Sequence, residues 1–143
     1  MRTLIDTNIF LEIILDQEKA KESIDFLKTI ERTEYYISDF SLHSIGLYLF
    51  RKEKYKTYNE FLSDMINNSS FELASLSPED LTKLSKNVKE YNLDFDDAYQ
   101  YVAAEKYELQ IISFDSDFDN TRIGRKTPGE ILSEYNNQEN DGS

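Results

Sequence analysis

Short apolar stretches alternate along this chain with longer amphipathic ones. The short stretches predict four β-strands, at Thr3–Asp6, Tyr35–Ser38, Phe71–Leu76 and Gln110–Phe114. A weaker fifth strand is indicated at Arg122–Gly124. Strands that alternate with helices predict an α/β fold, with a central, mostly parallel four- or five-stranded sheet covered by helices on both faces.

The helical stretches repeat apolar residues at intervals of three and four. Two segments, Glu18–Glu31 and Thr57–Asn68, each predict one helix with an apolar face: Ala20, Ile24, Leu27 and Ile30 in the first, and Tyr58, Phe61, Leu62, Met65 and Ile66 in the second. Ser77, Asp94 and Thr127 have the side chains that cap helix starts, and a single helix after Ser77 would turn Leu81, Leu84 and Val88 inward. The pattern predicts one domain over residues 1–135 and a flexible polar tail over residues 136–143.

Composition narrows the class of protein. The chain has 143 residues, no cysteine and a formal net charge of −12. Disulfides and thiolate zinc sites are thereby excluded, and no apolar run approaches the length of a membrane span. A cytoplasmic protein fits best. Two basic clusters, Arg51–Lys56 and Arg122–Lys126, are candidates for holding phosphates despite the acidic balance, although solvated patches are the more common meaning.

Four aspartates stand just after predicted strands or at the start of a predicted helix: Asp6, Asp97, Asp115 and Asp117. In an open parallel sheet the carboxyl ends of the strands share one edge, and ligands bind there. Carboxylates gathered at that edge repel each other unless protons or cations neutralise them. Mg²⁺ or Mn²⁺ suits such an all-oxygen site, which indicates metal-assisted phosphodiester chemistry.

Each acidic group also has a purely structural interpretation. Asp6 could cap a turn, and the three acids Asp94, Asp96 and Asp97 could complement a helix dipole. We interpret Asp94 as the cap, Asp96 as solvent-facing and Asp97 as the ligand. The acids at 115, 117 and 119 alternate as if on one side of an extended segment, but an EF-hand is excluded because its glycine and glutamate positions are not filled.

Three motifs occur in a diagnostic order: Asp6-Thr-Asn8 at the start, Asp97-Ala98 opening a late helix, and Ser113-x-Asp115-x-Asp117-Phe118 after the next strand. This order resembles the PIN domain family, especially the toxin nucleases of VapBC toxin–antitoxin pairs and their archaeal relatives. The resemblance covers about residues 2–132 and implies a three-layer α/β/α sandwich.

The resemblance also implies an activity, a Mg²⁺- or Mn²⁺-dependent endoribonuclease that hydrolyses RNA with metal-activated water. Asp6, Asp97 and Asp115 would be catalytic metal ligands, with Asp117 as a further ligand. Asn8, Ser44 and Ser113 would support these ligands or contact the substrate. The implied partners are the RNA substrate, a cognate antitoxin and a second copy of the chain in a homodimer, with no membrane.

One position departs from the family pattern. Family members usually carry a glutamate early in the helix after the second strand, where this chain has Ser44. The neighbouring His43 is more often structural or exposed than a ligand, and Glu12 is a weak candidate for the missing acid. The alternative function is therefore a catalytically weakened PIN domain that binds RNA or a protein.

Two further interpretations have less support. An aspartate-nucleophile phosphatase would need a second acid two residues after Asp6, where the chain has Asn8. Three tyrosines, Tyr48, Tyr99 and Tyr101, are candidates for stacking on RNA bases, although core packing explains most of the aromatic residues.

Overall fold

Four strands make the sheet of this protein. The computed structural model describes residues 1–29, 32–67 and 70–141. The strands are β1 (Arg2–Ile5), β2 (Glu34–Ser38), β3 (Phe71–Ala74) and β4 (Gln110–Ile112). The α-helices are α1 (Thr7–Ile14), α2 (Ala20–Leu27), α3 (Asp39–Arg51), α4 (Tyr55–Asn67), α5 (Pro78–Leu81), α6 (Leu84–Tyr91), α7 (Phe95–Tyr107) and α8 (Pro128–Asp141), and residues Ser116–Asn120 form a 3₁₀ helix.

The strand order is β3-β2-β1-β4, and all paired strands are parallel. The predicted α/β class and parallel central sheet are confirmed. The weaker fifth strand predicted at residues 122–124 is wrong. The chain turns there because Gly124 has a φ of 68° and donates its N–H to Thr121 Oγ1, so that only Lys126 makes an isolated bridge to Ile112.

The two faces of the sheet carry separate cores, because successive residues of a strand point to opposite faces. Leu4 and Ile111 belong to the core under α6 and α7, whereas their neighbours Ile5 and Ile112 belong to the core under the other helices. Both faces are therefore covered, as parallel sheets require. This arrangement is the three-layer sandwich that the motifs implied.

Several helices differ from their predictions. The segment after Ser77 forms two helices, because α5 ends in a turn at Thr82 and α6 starts afresh at Leu84. Leu84 is buried, but Leu81, before the break, is exposed, and within α6 the buried residues are Leu84 and Asn87 while Val88 is exposed. Helix α8 continues to Asp141, past the predicted start of the tail, and Arg32 pairs with Glu139 on it.

The other two predicted apolar faces are only partly right. In α2 the buried side chains include Ala20 and Phe26, whereas Ile24 is largely exposed. In α4 Phe61 and Met65 pack on the core, but Ile66 faces solvent near the end of the helix. Ile30 and the two predicted end residues of these helices, Glu31 and Asn68, lie outside the described residues. No described helix combines the length and apolar character needed to cross a membrane.

Candidate metal centre

The candidate site lies at the carboxyl ends of β1 and β4. Strands β2 and β3 lie on one side of β1, and β4 lies on the other side. The boundary between β1 and β4 is therefore a topological switch point of the sheet. Asp6 follows β1 and caps α1 by accepting from Thr7 N. Ser113 and Asp115 follow β4, and α7 begins at the same edge with Asp97 in its first turn.

Three carboxylates converge there. Asp97, Asp115 and Asp117 each offer an oxygen atom that lies within 4.8 Å of the others. Local capping fixes the backbone around these acids. Asp94 Oδ1 accepts from Asp97 N at 2.9 Å, as predicted for the cap of α7. Asp115 Oδ1 accepts from Asp117 N at 2.9 Å, which starts the 3₁₀ helix and brings the two acids together.

Asp6 lies in the same cavity but is bonded differently. Its Oδ2 accepts from Ser113 Oγ at 2.6 Å, and its Oδ1 accepts from Gln100 Nε2 at 2.9 Å and from Thr7 N at 2.8 Å. Among the described residues it does not belong to the close group of three carboxylates. The hydrogen bonds hold Asp6 at the base of the cavity, with little of its surface exposed.

Ser113 connects the two halves of the site. Besides donating to Asp6, its Oγ accepts from Asp115 N at 2.9 Å and from Asn8 Nδ2 at 3.1 Å. Asn8 also accepts from Phe114 N at 3.3 Å and approaches Asp6 Oδ2 at 3.5 Å. Both residues therefore contact the acids that the sequence analysis singled out, and they tie β1 to β4.

Two polar residues of the site were missed by the sequence analysis. Gln100 is 2% exposed, donates to both Asp6 and Ser41 Oγ (2.7 Å), and has an Oε1 without a partner among the described residues. Ser41 also receives a bond from Thr7 Oγ1 at 2.9 Å. Helical spacing contained a signal for Gln100, because it lies three residues after Asp97 on the same face of α7.

The cavity above these groups has a volume of about 210 Å³. Its lining residues are Asp6, Thr7, Asn8, Leu11, Phe40, Ser44, Asp96, Asp97, Gln100 and Asp115. Ser44 therefore faces the space in which the family glutamate was expected. Asp96 is exposed, as predicted, but its side chain also borders the cavity.

Other candidates lie elsewhere. Glu12 Oε2 accepts from Lys19 N at 3.0 Å, ahead of α2, so it does not replace the missing acid. His43 is exposed and lines a different, apolar groove on α3. Tyr99 and Tyr101 are buried and cannot stack on a base, whereas Tyr48 is half-buried beneath Lys52.

The segment after β4 differs from its prediction. It is a 3₁₀ helix and not an extended strand, so the three alternating acids do not all share one side: Asp115 and Asp117 stay together, but Asp119 does not join them. Asp119 turns away and pairs with Arg125 at 2.9 Å. The other basic residues of this cluster are also paired, Arg122 with Glu105 and Lys126 with Glu134. These cations are therefore largely neutralised by the chain itself.

Electrostatics distinguish the acids. Burial raises the pKa of Asp97 to about 8, and the nearby charges of Asp115, Asp94, Asp6 and Asp117 act in the same direction. Burial also raises the pKa of Asp6, although the hydrogen bonds from Ser113 and Gln100 oppose that shift. At neutral pH the site therefore favours a bound proton or a cation.

The comparisons with known proteins agree with this geometry. The model of the PIN domain family matches residues 3–124, which is most of the chain and includes all the motifs above. The chain belongs to the PIN domain family. A comparison with curated proteins finds no significant match.

Solved structures share this PIN fold at low sequence identity. A toxin–antitoxin complex from Klebsiella pneumoniae has a TM-score of 0.67 and 19% identity, over 88% of this chain and 97% of the other. Mycobacterium tuberculosis VapC20, a toxin that cleaves the sarcin–ricin loop, has a TM-score of 0.72 and 12% identity, over 85% and 95% of the two chains. Rickettsia felis VapBC2 bound to promoter DNA has a TM-score of 0.67 and 16% identity, over 89% and 96%.

The donor atoms of this PIN domain fit a hard divalent cation. Mg²⁺ prefers carboxylate and water oxygens at about 2.0–2.1 Å in octahedral geometry. Three carboxylate oxygens mutually within 4.8 Å can surround one such ion and leave other positions to water or substrate oxygens. The raised pKa of Asp97 fits the same conclusion, because mutual repulsion favours a cation among these acids.

Proposed function

We propose that this PIN domain is a Mg²⁺- or Mn²⁺-dependent endoribonuclease and the toxin of a VapBC-type toxin–antitoxin pair. The observation that carries the proposal is the convergence of Asp97, Asp115 and Asp117 above the buried Asp6 at the switch point of the sheet. Oxygen-only donors at such an edge suit phosphodiester hydrolysis, which needs charge stabilisation on phosphate oxygens and an activated water.

The roles follow from the contacts. Asp97, Asp115 and Asp117 would hold the cation, and Asp6 would complete the acidic wall of the cavity. A bound Mg²⁺ or Mn²⁺ would supply a low-pKa water and neutralise charge on the phosphate. Ser113 would keep the side chain of Asp6 and the backbone of Asp115 in fixed relative positions through its two hydrogen bonds.

The partner and location are part of the proposal. Toxin–antitoxin complexes from Klebsiella pneumoniae and Rickettsia felis share the fold, which supports a cognate antitoxin for this chain. Family resemblance supports a homodimer and a cytoplasmic location. RNA is the substrate class that the resemblance implies.

A second candidate function rests on Ser44. This residue lines the cavity where a family glutamate is expected, and a hydroxyl adds no charge for a cation. A PIN domain with fewer acidic ligands would bind RNA or a protein partner and cleave weakly or not at all. The domain would then act as a binding module.

One experiment separates the two candidates. Purified protein is incubated with a labelled single-stranded RNA in Mn²⁺, Mg²⁺ or EDTA, alongside Asp97→Asn and the control Asp64→Asn. Asp64 is an exposed acid of α4, so its loss changes the net charge by the same amount. Metal-dependent cleavage that Asp97→Asn abolishes and Asp64→Asn retains supports the nuclease. RNA binding without cleavage in any metal supports the binding module.

A further inference from the structure

An exposed aromatic ring packs against a residue of the carboxylate cavity wall. Phe95 is the first residue of α7, directly before the acids at 96 and 97, and it is 58% exposed. Its ring centroid lies 6.2 Å from that of Phe40 and 6.4 Å from that of Tyr99. Phe40 in turn lines the cavity. An apolar surface therefore continues from the cavity onto the start of α7.

The rings behind Phe95 are held in place. Phe40 and Tyr99 lie 5.4 Å apart, and Tyr99 Oη donates to Asp39 Oδ1 at 2.5 Å and accepts from Leu76 N at 3.3 Å. The backbone at Phe95 is fixed by the Asp94 cap of α7. Phe95 is thus an exposed ring on a rigid support, which is the arrangement expected of an aromatic contact surface and not of a mobile loop.

Charge decides what such a surface can bind. The chain carries a net charge of −12, and the basic residues that follow β4 are paired with its own acids. The described residues that line the cavity also include no Lys or Arg, so the phosphate contacts that usually supply RNA affinity are scarce within it. A neutral ring adds affinity by stacking on a nucleobase, and this contribution does not depend on the protein being basic.

We propose that Phe95, supported by Phe40 and Tyr99, is a base-stacking subsite for single-stranded RNA beside the carboxylate cavity. The inference rests on the proposed function, because it places the scissile phosphate at the acids. The base and the phosphate of one nucleotide are joined through a single sugar, so a ring that packs on Phe40, at the wall of the cavity, suits a base next to that phosphate. Double-stranded RNA would not use the subsite, since its bases are already stacked.

Binding in EDTA tests the subsite without cleavage. The probe is a single-stranded oligoribonucleotide that contains 2-aminopurine, whose fluorescence falls when it stacks. Phe95→Ala should weaken binding about tenfold or more and remove the quenching, because stacking on one aromatic side chain is worth about that much. Phe95→Trp should bind the probe and quench its fluorescence as the wild type does. Phe50→Ala is the matched control, since Phe50 is 51% exposed but lies at the opposite end of α3 from Phe40.

Cleavage in Mn²⁺ provides the second measurement. Phe95→Ala should raise KM with kcat retained, because the ring contacts a base and not the reacting atoms. If Phe95→Ala equals the wild type in affinity, quenching and KM, the subsite is refuted. The proposed nuclease function still stands in that case, provided that the wild-type protein cleaves RNA. A wild-type protein that neither binds nor cleaves RNA refutes both. Loss of antitoxin binding with unchanged RNA affinity would make Phe95 a protein contact instead.

Discussion

Replacing Asp97 by asparagine should stabilise the protein in the absence of metal. Asp97 is 7% exposed, and its pKa is raised to about 8 by burial and by the charges of four other aspartates. The folded state therefore binds its proton more tightly than the unfolded chain, in which the pKa is about 3.9. By linkage, the contribution of Asp97 to stability falls as the pH rises from about 4 to about 8.

The size of the effect follows from the two pKa values. Relative to low pH, the raised pKa of Asp97 lowers the free energy of unfolding by about 5 kcal/mol at pH 8 and by about 1.5 kcal/mol at pH 5. These are upper bounds, because the side chain can move toward water. The neutral asparagine side chain removes this cost but also loses a helix-dipole interaction of about 0.3–1 kcal/mol. The relief of repulsion and of charge burial should exceed that loss. The free energy of unfolding should therefore rise on substitution, and it should rise more at pH 8 than at pH 5.

Urea unfolding in EDTA at pH 5 and pH 8 measures the difference. Comparing Asp97→Asn with the wild type cancels, to a first approximation, the titration of the other acids. Asp96→Asn is the matched control, because Asp96 lies in the same helical turn but is exposed. If Asp97→Asn is less stable than the wild type at pH 8 without metal, Asp97 acts mainly on the helix dipole and the proposed metal site is misplaced.

The remaining predictions concern metal and the groups around it. Mn²⁺ at a hundredfold excess over its Kd should add about 2.7 kcal/mol to the free energy of unfolding and raise the Tm by about 5–10 °C relative to EDTA. The increase in Tm should be smaller at pH 5, where protons compete with the metal. A melting scan with no shift in Tm would argue against a metal site. Ser44→Glu should tighten Mn²⁺ binding measured by calorimetry, and adding Asp6→Asn should remove the gain; unchanged affinity would mean that residue 44 does not reach the ion. Ser113→Ala should cost about 1–3 kcal/mol in urea unfolding by leaving buried partners unpaired, whereas the exposed Ser116→Ala should stay within about 0.5 kcal/mol.

The sequence was most informative where local rules act. Alternation of strands and helices predicted the parallel sheet, and capping chemistry predicted Asp94 at the start of α7. It was least informative about helix faces and breaks. The helix is interrupted at Thr82, so Leu81 could not be assigned from one continuous period, and α6 buries Asn87 where the apolar pattern predicted Val88. Likewise, a segment of alternating acids has the same pattern whether it becomes a strand or, as here, a 3₁₀ helix.

By itself, the sequence determined that acids follow β1 and β4 and stand at the start of α7, because backbone periodicity and side-chain capping depend on near neighbours. Only the tertiary structure decided which of those acids meet. Gln100 reaches Asp6 because the crossover through α7 returns the chain to the edge of β1, across 94 residues of sequence. The ion pair that keeps Asp119 out of the cluster is instead local, since Arg125 lies six residues after Asp119. Packing also left Phe95 exposed while burying Tyr99, a difference that depends on the neighbouring helices and not on residue type.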